Sequence, residues 1–296
     1  MGQLKGVLAA LVTPFLPNGE PDIQGLRRNV NWLVGEGIHG VVALGSTGEF
    51  ASLDDVQACA VLNAVIEAAG GRVPVVVGAG AETTEKVIAN VQRAAQAGAA
   101  GVLVIPPWYR SPDADELVHH YTRIGEASTI PVMLYNNPST SRVDITPEIL
   151  ERLLDVPHIE AVKETSGDIR RIAEIRRLTS DRLAVFCGWE DMAYESFVMG
   201  AVGWICVIAN LVPKMATRLF TLIHEERNLE DAWTLYCQML PFLRYLENTR
   251  KAQYSLKYVL DRMGLCGGVS SSPRLPLSPE ERSEVDRLMV GLGVHL

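Results

Sequence analysis

The chain has 296 residues, 48% of them hydrophobic, and a formal net charge of -8 from 27 Lys and Arg against 35 Asp and Glu. Such an acidic chain lacks the general cationic surface that nucleic acid or anionic lipid requires, so these partners are excluded and a small-molecule partner is favoured. The five scattered cysteines contain no C-x-x-C pair, and no apolar run approaches the roughly 18 residues of a membrane span, so we expect a reduced, cytoplasmic protein.

Eight short apolar runs, each bounded by turn residues, recur along the chain and are interpreted as strands. They are GVLAALV from Gly6, GVVAL from Gly40, VPVVVG from Val73, GVLVI from Gly101, IPVMLY from Ile130, IEAVK from Ile159, LAVFC from Leu183 and VGWICV from Val202. Near-continuous apolar strands indicate a parallel sheet with both faces buried by helices. Eight such units predict a (β/α)8 TIM barrel, and a doubly wound open sheet is the alternative.

Amphipathic stretches of helical length separate these runs. One follows Ser52, which we expect to be its N-cap with Asp55 three residues on, and another ends at Gly98, a glycine C-cap. After Asn210 the strand pattern stops, and residues 211–296 have the pattern of helices. We therefore predict a barrel over residues 1–225 and a helical C-terminal extension of the same domain over residues 226–296, since no linker separates them.

The active site of such a barrel lies at the carboxyl ends of its strands, so the polar residues just past each run are the candidates. Strand two is followed by GSTGEF (45–50), strand four by PPWYRSP (106–112), and strand five ends in YNNPSTS (135–141). Strand six runs into VKETSGD (162–168), whose second residue is a lysine in an apolar setting.

Lys163 is the first candidate. Strand alternation aligns it with Ile159 and Ala161, at the barrel mouth. Desolvation there disfavours the ammonium form and frees the lone pair to attack a carbonyl carbon, which yields a Schiff base. The alternative is a strand-end lysine paired with Glu164 or Asp168, and the spacing leaves both interpretations open.

Tyr135 ends the neighbouring strand, so its hydroxyl is a candidate to shuttle a proton near Lys163. The alternative is a core or rim tyrosine hydrogen-bonded to backbone. The GSTGE segment offers two hydroxyls and backbone N–H groups unobstructed by large side chains, and these can hold the carboxylate of a 2-oxo acid. A plain Gly-Ser turn would have the same composition.

Signals for nucleotides, phosphate and metals are weaker. GAGAET from Gly78 lacks the third glycine of a dinucleotide fingerprint, and no Gly-rich phosphate-binding turn follows strands seven or eight. His119 and His120 are adjacent without a third ligand, so we expect both at the surface and no zinc site. A lysine-dependent aldolase is therefore favoured over a metal-dependent one.

With GSTGE, PPWY, YNNPS and VKETSGD in this order and at these spacings, the chain resembles the dihydrodipicolinate synthase / N-acetylneuraminate lyase family over nearly its whole length. The resemblance implies a (β/α)8 barrel with a helical C-terminal extension, a homotetramer built as a dimer of dimers, and no metal or organic cofactor. It also implies that Lys163 captures pyruvate or another 2-oxo acid, that Tyr135 relays protons, and that Ser46 and Thr47 hold the substrate carboxylate. Ser46 stands where the synthases usually carry threonine, and the hydroxyl is kept.

The roles of some other residues are implied by the resemblance alone. Tyr109 matches a tyrosine that some members insert across the dimer interface, and Gly188 and Ile205 match positions whose backbone lies near substrate. One position departs from the synthases, because Thr140 stands where they carry an arginine for the carboxylate of the second substrate. Arg142 is two residues later and starts from a different backbone position.

Three functions remain open at this stage. The first is a Schiff-base lyase or synthase that cleaves or forms a C–C bond in a 2-oxo acid. The second uses the same imine for dehydration or deamination of a 2-keto-3-deoxy acid or a hydroxy-pyrroline carboxylate, and Thr140 favours it. A non-catalytic 2-oxo-acid sensor is the remote alternative, since such a protein has no need of Lys163.

Overall fold

The structure is a computed structural model that describes residues 4–294, and within them eight parallel strands form a closed barrel in sequential order. The strands are β1 Gly6–Ala10, β2 Gly40–Ala43, β3 Val75–Gly78, β4 Gly101–Val104, β5 Val132–Asn136, β6 Ile159–Glu164, β7 Ala184–Cys187 and β8 Gly203–Cys206. Strand β8 pairs with β1, so the ring is complete and leaves no unpaired edge. The predicted TIM barrel is confirmed, and the open-sheet alternative is wrong.

Helices follow the strands and cover the outside of the barrel. They are α1 Ile23–Gly35, α2 Asp55–Ala69, α3 Thr84–Gln96, α4 Ala114–Ala127, α5 Pro138–Ser141, α6 Pro147–Arg152, α7 Arg170–Thr179, α8 Ala193–Val198, α9 Pro213–His224, α10 Leu229–Asn248, α11 Ala252–Arg262 and α12 Pro279–Gly291. The boundary predicted at 225/226 falls in the turn between α9 and α10. No helix in residues 4–294 is long and apolar enough to cross a membrane.

The strand side chains alternate between two apolar clusters. The inner cluster fills the barrel and contains Leu8, Ala10, Val42, Val76, Leu103, Ile105, Met133, Tyr135, Ala161, Phe186 and Ile205. The other cluster lies between the outer face of the strands and the helices, and it includes the intervening valines of β2 to β5. Burial on both faces explains why the strands are nearly continuous runs of apolar residues.

The register of β6 departs from simple alternation. Ile159 and Ala161 oppose consecutive residues of β5, so the pairing skips Glu160. As a result Ile159 packs in the outer cluster, whereas Ala161 faces the barrel interior. The expectation that Ile159 shares a face with Lys163 is wrong, because the irregularity reverses the direction of the side chain before it.

The start of α2 also differs from the prediction. Its N-cap is Asp54, whose side chain accepts from the backbone N–H of Gln57 while the Gln57 side chain accepts from the N–H of Asp54. Ser52 lies in a short 3-10 turn before the helix. Helix α3 ends near the expected glycine, since Gly98 takes a φ of 88° just past its end.

The two adjacent histidines, His119 and His120, have different surroundings. His119 is exposed as expected, but His120 is buried, with its Nδ1 atom 2.9 Å from the Thr84 hydroxyl. Burial lowers the pKa of His120 to about 4, so its ring is neutral near pH 7. The side chain points between α3 and α4, which a helical pattern of single residues does not reveal. Within residues 4–294, no cluster of three or more His, Cys, Asp and Glu side chains is arranged to hold a metal ion.

Candidate active site

Lys163 and Tyr135 lie opposite each other at the carboxyl end of the barrel. They are paired in the register of β5 and β6, and each side chain is about nine-tenths buried. The Nζ atom of Lys163 is 4.4 Å from the centroid of the Tyr135 ring. The amine therefore contacts an aromatic face inside the barrel, at the place where a bound carbonyl compound would meet it.

The ion pair considered as an alternative for Lys163 is not formed. Glu164 points to the other side of the strand, where its carboxylate accepts from Asn136 Nδ2 at 3.0 Å and from the N–H of Ser166 at 2.7 Å. Asp168 pairs instead with Arg170, at 2.6 Å. Within residues 4–294, Lys163 makes no ion pair, so its amine faces the barrel mouth without a carboxylate bound to it.

The Tyr135 hydroxyl is oriented by Asn137, a residue that sequence reasoning did not single out. Asn137 Nδ2 donates to Tyr135 Oη at 2.9 Å. The Asn137 side chain is itself fixed, because its Oδ1 accepts from the Ser139 hydroxyl at 2.7 Å and from the N–H of Thr140 at 3.2 Å. Since Oη accepts from Asn137, the phenol proton is left free to be donated elsewhere.

Gly188 follows β7 and allows Lys163 to occupy its position. A Cβ atom added at Gly188 would lie 1.9 Å from Thr165 Oγ1 and 2.7 Å from Lys163 Cε. The backbone of Gly188 is also tied to β6, since its N–H donates to the Glu164 carbonyl at 2.8 Å. A glycine is therefore required here by the space that the lysine and threonine side chains occupy.

Thr165 is a second residue that the motif contained and sequence reasoning passed over. Its side chain is buried, and its hydroxyl has no hydrogen-bond partner in the described part of the chain. Alternation places residue 165 on the same side of the chain as Lys163, which is the signal that identifies it. An unpaired buried hydroxyl beside the lysine is available to a bound ligand.

The turn after β2 carries Ser46 and Thr47. Thr47 is buried and Ser46 is half-buried, and the turn is closed by a hydrogen bond from the N–H of Gly48 to the Gly45 carbonyl at 3.0 Å. Gly48 allows the turn to pack closely, because a Cβ there would lie 3.1 Å from the Leu11 carbonyl oxygen. The turn thus sits at the barrel mouth with two hydroxyls and its backbone amides.

The remaining predicted residues are not all brought into the barrel. Ile205 is in β8 and belongs to the same inner cluster as Tyr135. Tyr109 follows β4 and is 83% exposed in the single chain, while Thr140 and Arg142 are exposed at the rim, on α5 and at its end. The structure therefore groups Lys163, Tyr135, Gly188 and Ile205, and leaves Tyr109 and Thr140 facing solvent.

A buried and a partly buried carboxyl group lie beside this site. Glu190 follows β7, and its carboxylate accepts from the N–H of Val207 at 2.7 Å and of Ile208 at 3.2 Å. The N–H of Glu190 in turn donates to Glu247 Oε1 of α10. Burial, with a contribution from Glu247, raises the pKa of Glu190 to about 8, and burial also raises the pKa of Glu247. These two residues are far apart in sequence, so no local pattern relates them.

Comparison with known proteins places these features in a family. The model of the dihydrodipicolinate synthetase family matches residues 3–291. A 4-hydroxy-tetrahydrodipicolinate synthase of Geobacter metallireducens is 35% identical over 96% of each chain, and one of Methanothrix thermoacetophila is 34% identical over 95% of this chain and 94% of its own. The chloride-inhibited dihydrodipicolinate synthase of Acinetobacter baumannii, solved with pyruvate, superposes with a TM-score of 0.94 at 29% identity, over 98% of this chain and 99% of that one.

Proposed function

The chain belongs to the dihydrodipicolinate synthetase family of class I, Schiff-base lyases, and from this premise we propose that it acts on pyruvate or another 2-oxo acid through an imine on Lys163. The observation that carries the proposal is the Lys163 amine, which lies against the Tyr135 ring at 4.4 Å and makes no ion pair with the residues that the structure describes. A related synthase that was solved with pyruvate supports the choice of ligand.

The proposed chemistry begins when Lys163 Nζ adds to the C2 carbonyl of the 2-oxo acid. The carbinolamine loses water to give a protonated imine, which withdraws electrons from C3. Loss of a proton from C3 then gives an enamine that attacks an aldehyde, and the reverse sequence cleaves the same C–C bond. Hydrolysis of the imine releases the product and restores the lysine.

Two groups of residues assist in this proposal. Tyr135, whose Oη accepts from Asn137 at 2.9 Å, donates and recovers the proton exchanged at the carbinolamine oxygen. The Ser46 and Thr47 hydroxyls and the amides of their turn receive the substrate carboxylate, and Gly188 and Ile205 border the bound carbon chain. The net result is an ordered 2-oxo acid whose C2 faces the lysine.

A second candidate is dehydration or deamination through the same imine, and Thr140 favours it. The synthases carry an arginine at this position for a distal carboxylate, whereas a threonine offers only a hydroxyl. A substrate without a distal carboxylate, such as a 2-keto-3-deoxy acid or a hydroxy-pyrroline carboxylate, suits this rim better. In that reaction the enamine formed by loss of a C3 proton expels hydroxide or an amine from C4 and returns to a conjugated imine, so that no C–C bond breaks.

Borohydride trapping tests the shared chemistry. The protein is incubated with pyruvate and with a panel of 2-oxo acids, reduced, and analysed by intact and peptide mass. We expect a reduced adduct on the peptide that contains Lys163, none in Lys163→Ala, and an unchanged adduct in Lys251→Ala, which removes an amine bound to Glu281 outside the barrel. No adduct with any acid of the panel would leave the non-catalytic sensor as the better interpretation.

Product analysis separates the two candidate reactions. Pyruvate with aspartate semialdehyde is assayed beside 2-keto-3-deoxy acids and pyrroline-4-hydroxy-2-carboxylate, and the products are identified by mass. Condensation supports the synthase, release of pyruvate and an aldehyde supports the lyase, and release of water or ammonia supports the second candidate.

The thermal transition of Lys163→Ala should match the wild type, because a barrel-mouth side chain contributes little to the core.

We also propose that the protein assembles as a homotetramer and that Tyr109 completes the proton relay across an interface between two copies. Its side chain is 83% exposed in the single chain, as an interface residue must be before assembly. Light scattering measures the oligomeric state. Tyr109→Phe should slow turnover without altering that state, and an unchanged rate would remove Tyr109 from the relay.

A further inference from the structure

A buried ion pair connects the C-terminal extension to the turn that carries Ser46 and Thr47. Lys257 of α11 donates to Glu49 Oε1 at 2.5 Å, and the two side chains are 3% and 1% exposed. The two residues are separated by 208 positions in the sequence. Neither has a part in the chemistry proposed above, although Glu49 comes two residues after Thr47.

Protein groups contact both charged side chains in place of water. Lys257 Nζ also donates to the Val269 carbonyl at 2.8 Å and lies 4.7 Å from the centroid of the Phe15 ring. The second carboxylate oxygen of Glu49 accepts from the N–H and the hydroxyl of Ser271, at 2.9 and 2.6 Å, and lies 3.5 Å from Nη1 of the half-exposed Arg274. Buried pairs of this kind add little net stability but define one geometry, since any displacement leaves a charge without partners.

The backbone at Glu49 makes the turn dependent on this pair. Glu49 adopts a left-handed conformation with a φ of 55°, which is unfavourable for a side chain with a Cβ atom. Its N–H donates to the Ser46 carbonyl at 3.1 Å, so the shape of residues 45–48 is closed at Glu49. The same residue therefore combines a left-handed backbone with a side chain bound to Lys257.

The segment that holds Glu49 is itself packed against Pro14 and Phe15, which follow β1. The N–H of Val269 donates to the Phe15 carbonyl at 2.9 Å, and a Cβ added at Gly268 would lie 2.6 Å from that oxygen. The Ser271 hydroxyl also lies 2.9 Å from the Ser52 hydroxyl, just beyond the turn. The C-terminal segment therefore contacts the turn from its downstream side and is anchored independently of it.

We propose that Lys257 and Glu49 are positioning residues, which hold the 45–48 turn in the shape that receives the substrate carboxylate. The inference rests on the proposed function, because it assumes that this turn binds a 2-oxo acid. It makes the C-terminal extension part of the binding site for the small substrate. Loss of the pair should weaken binding of the carboxylate more than it changes the reactivity of Lys163.

The test measures how borohydride trapping of Lys163 depends on pyruvate concentration. In the double variant Lys257→Met with Glu49→Gln, which removes both charges together, we expect the half-saturating concentration to rise about tenfold, since charge-assisted contacts orient the turn. The extent of trapping at saturation should be unchanged. Ser271→Ala, which removes one donor to Glu49, should raise the half-saturating concentration about threefold, and Lys257→Arg should recover part of the wild-type value.

Lys251→Met is the matched control, since it breaks a half-exposed ion pair with Glu281 in the same extension. It should leave the half-saturating concentration unchanged. Thermal transitions show which variants are folded. If the double variant is not folded, the inference is judged from Ser271→Ala and Lys257→Arg. The inference would be overturned by a folded double variant, or by a folded Ser271→Ala where the double variant does not fold, whose half-saturating concentration lies within twofold of the wild type. A wild-type protein that traps no 2-oxo acid would overturn the proposed function instead.

Discussion

Tyr135 and Lys163 are register partners on adjacent strands, and the amine of one contacts the ring face of the other at 4.4 Å. This relationship places a nucleophile and a proton donor in the same buried volume. It also depends on the glycine at position 188, since a larger residue would occupy the space of the lysine side chain. The reactivity of the site is therefore tied to the packing of three neighbouring strands.

Tyr135→Phe should slow turnover by roughly 10²- to 10⁴-fold, the range typical of lost proton transfer. The ring and its contact with Lys163 are kept, so the protein should fold normally and still trap a 2-oxo acid at long incubation. Steady-state kinetics and the rate of trapping measure the effect. An unchanged rate would show that another group moves the proton.

Gly188→Ala should abolish turnover and destabilise the protein by about 1–3 kcal/mol, the usual cost of overpacking. The added methyl group would meet Thr165 Oγ1 at 1.9 Å and Lys163 Cε at 2.7 Å. Urea denaturation and trapping are the measurements. Thr165→Ala in the same chain removes the closer contact and should recover part of the stability, so absence of any recovery would contradict the steric explanation.

Thr140→Arg should increase kcat/KM for condensation of pyruvate with aspartate semialdehyde, because an arginine at this exposed position restores a partner for a distal carboxylate. A gain of about tenfold corresponds to one weak charge-assisted contact. Thr140→Lys is the matched control, because lysine adds the same positive charge but cannot form the bidentate hydrogen bonds of arginine. Equal rates in wild type and variant would show that Thr140 does not select the substrate.

Glu190→Gln should flatten the dependence of stability on pH. The pKa of Glu190 rises from the usual 4.5 to about 8 in the folded state, so the folded protein retains a proton that the unfolded chain has lost between these values. The free energy of unfolding of the wild type should therefore fall as pH rises through this window, by up to about 1.4 kcal/mol per pH unit for this group. Denaturation at several pH values, compared between wild type and variant, measures the difference.

Burial is the main cause of the raised pKa of Glu190, and the charge of Glu247 adds to it, so the variant removes the more buried of two neighbouring carboxyl groups. Glutamine keeps an oxygen that can accept from the N–H of Val207, so the turn after β7 should persist. Identical pH profiles for the two proteins would mean that Glu190 is ionised in the folded state and that its backbone hydrogen bonds outweigh its burial.

The barrel could be predicted from the sequence because each of its units has a local pattern. Apolar runs such as GVVAL and VPVVVG, separated by helical stretches, require burial on both faces, and eight repeats are enough to close a ring. The location of Lys163 in the candidate active site could also be predicted from the sequence, since the residue ends a strand and the active site of a barrel lies at that end of its strands. The N-cap of α2 and the burial of His120 could not be predicted, because several similar residues are candidates and only their contacts in the folded chain select one of them.

By itself, the sequence determined the fold class, the strand order and the polar segments at the barrel mouth, because these depend on period and order along the chain. Only the tertiary structure decided that Lys163 makes no ion pair within residues 4–294, that Asn137 orients Tyr135, and that Glu49 bonds to a lysine 208 positions away. The contact of Glu49 joins distant segments, and the other two features depend on side-chain directions that packing and register set, so none of them leaves a periodic signal in the residues themselves.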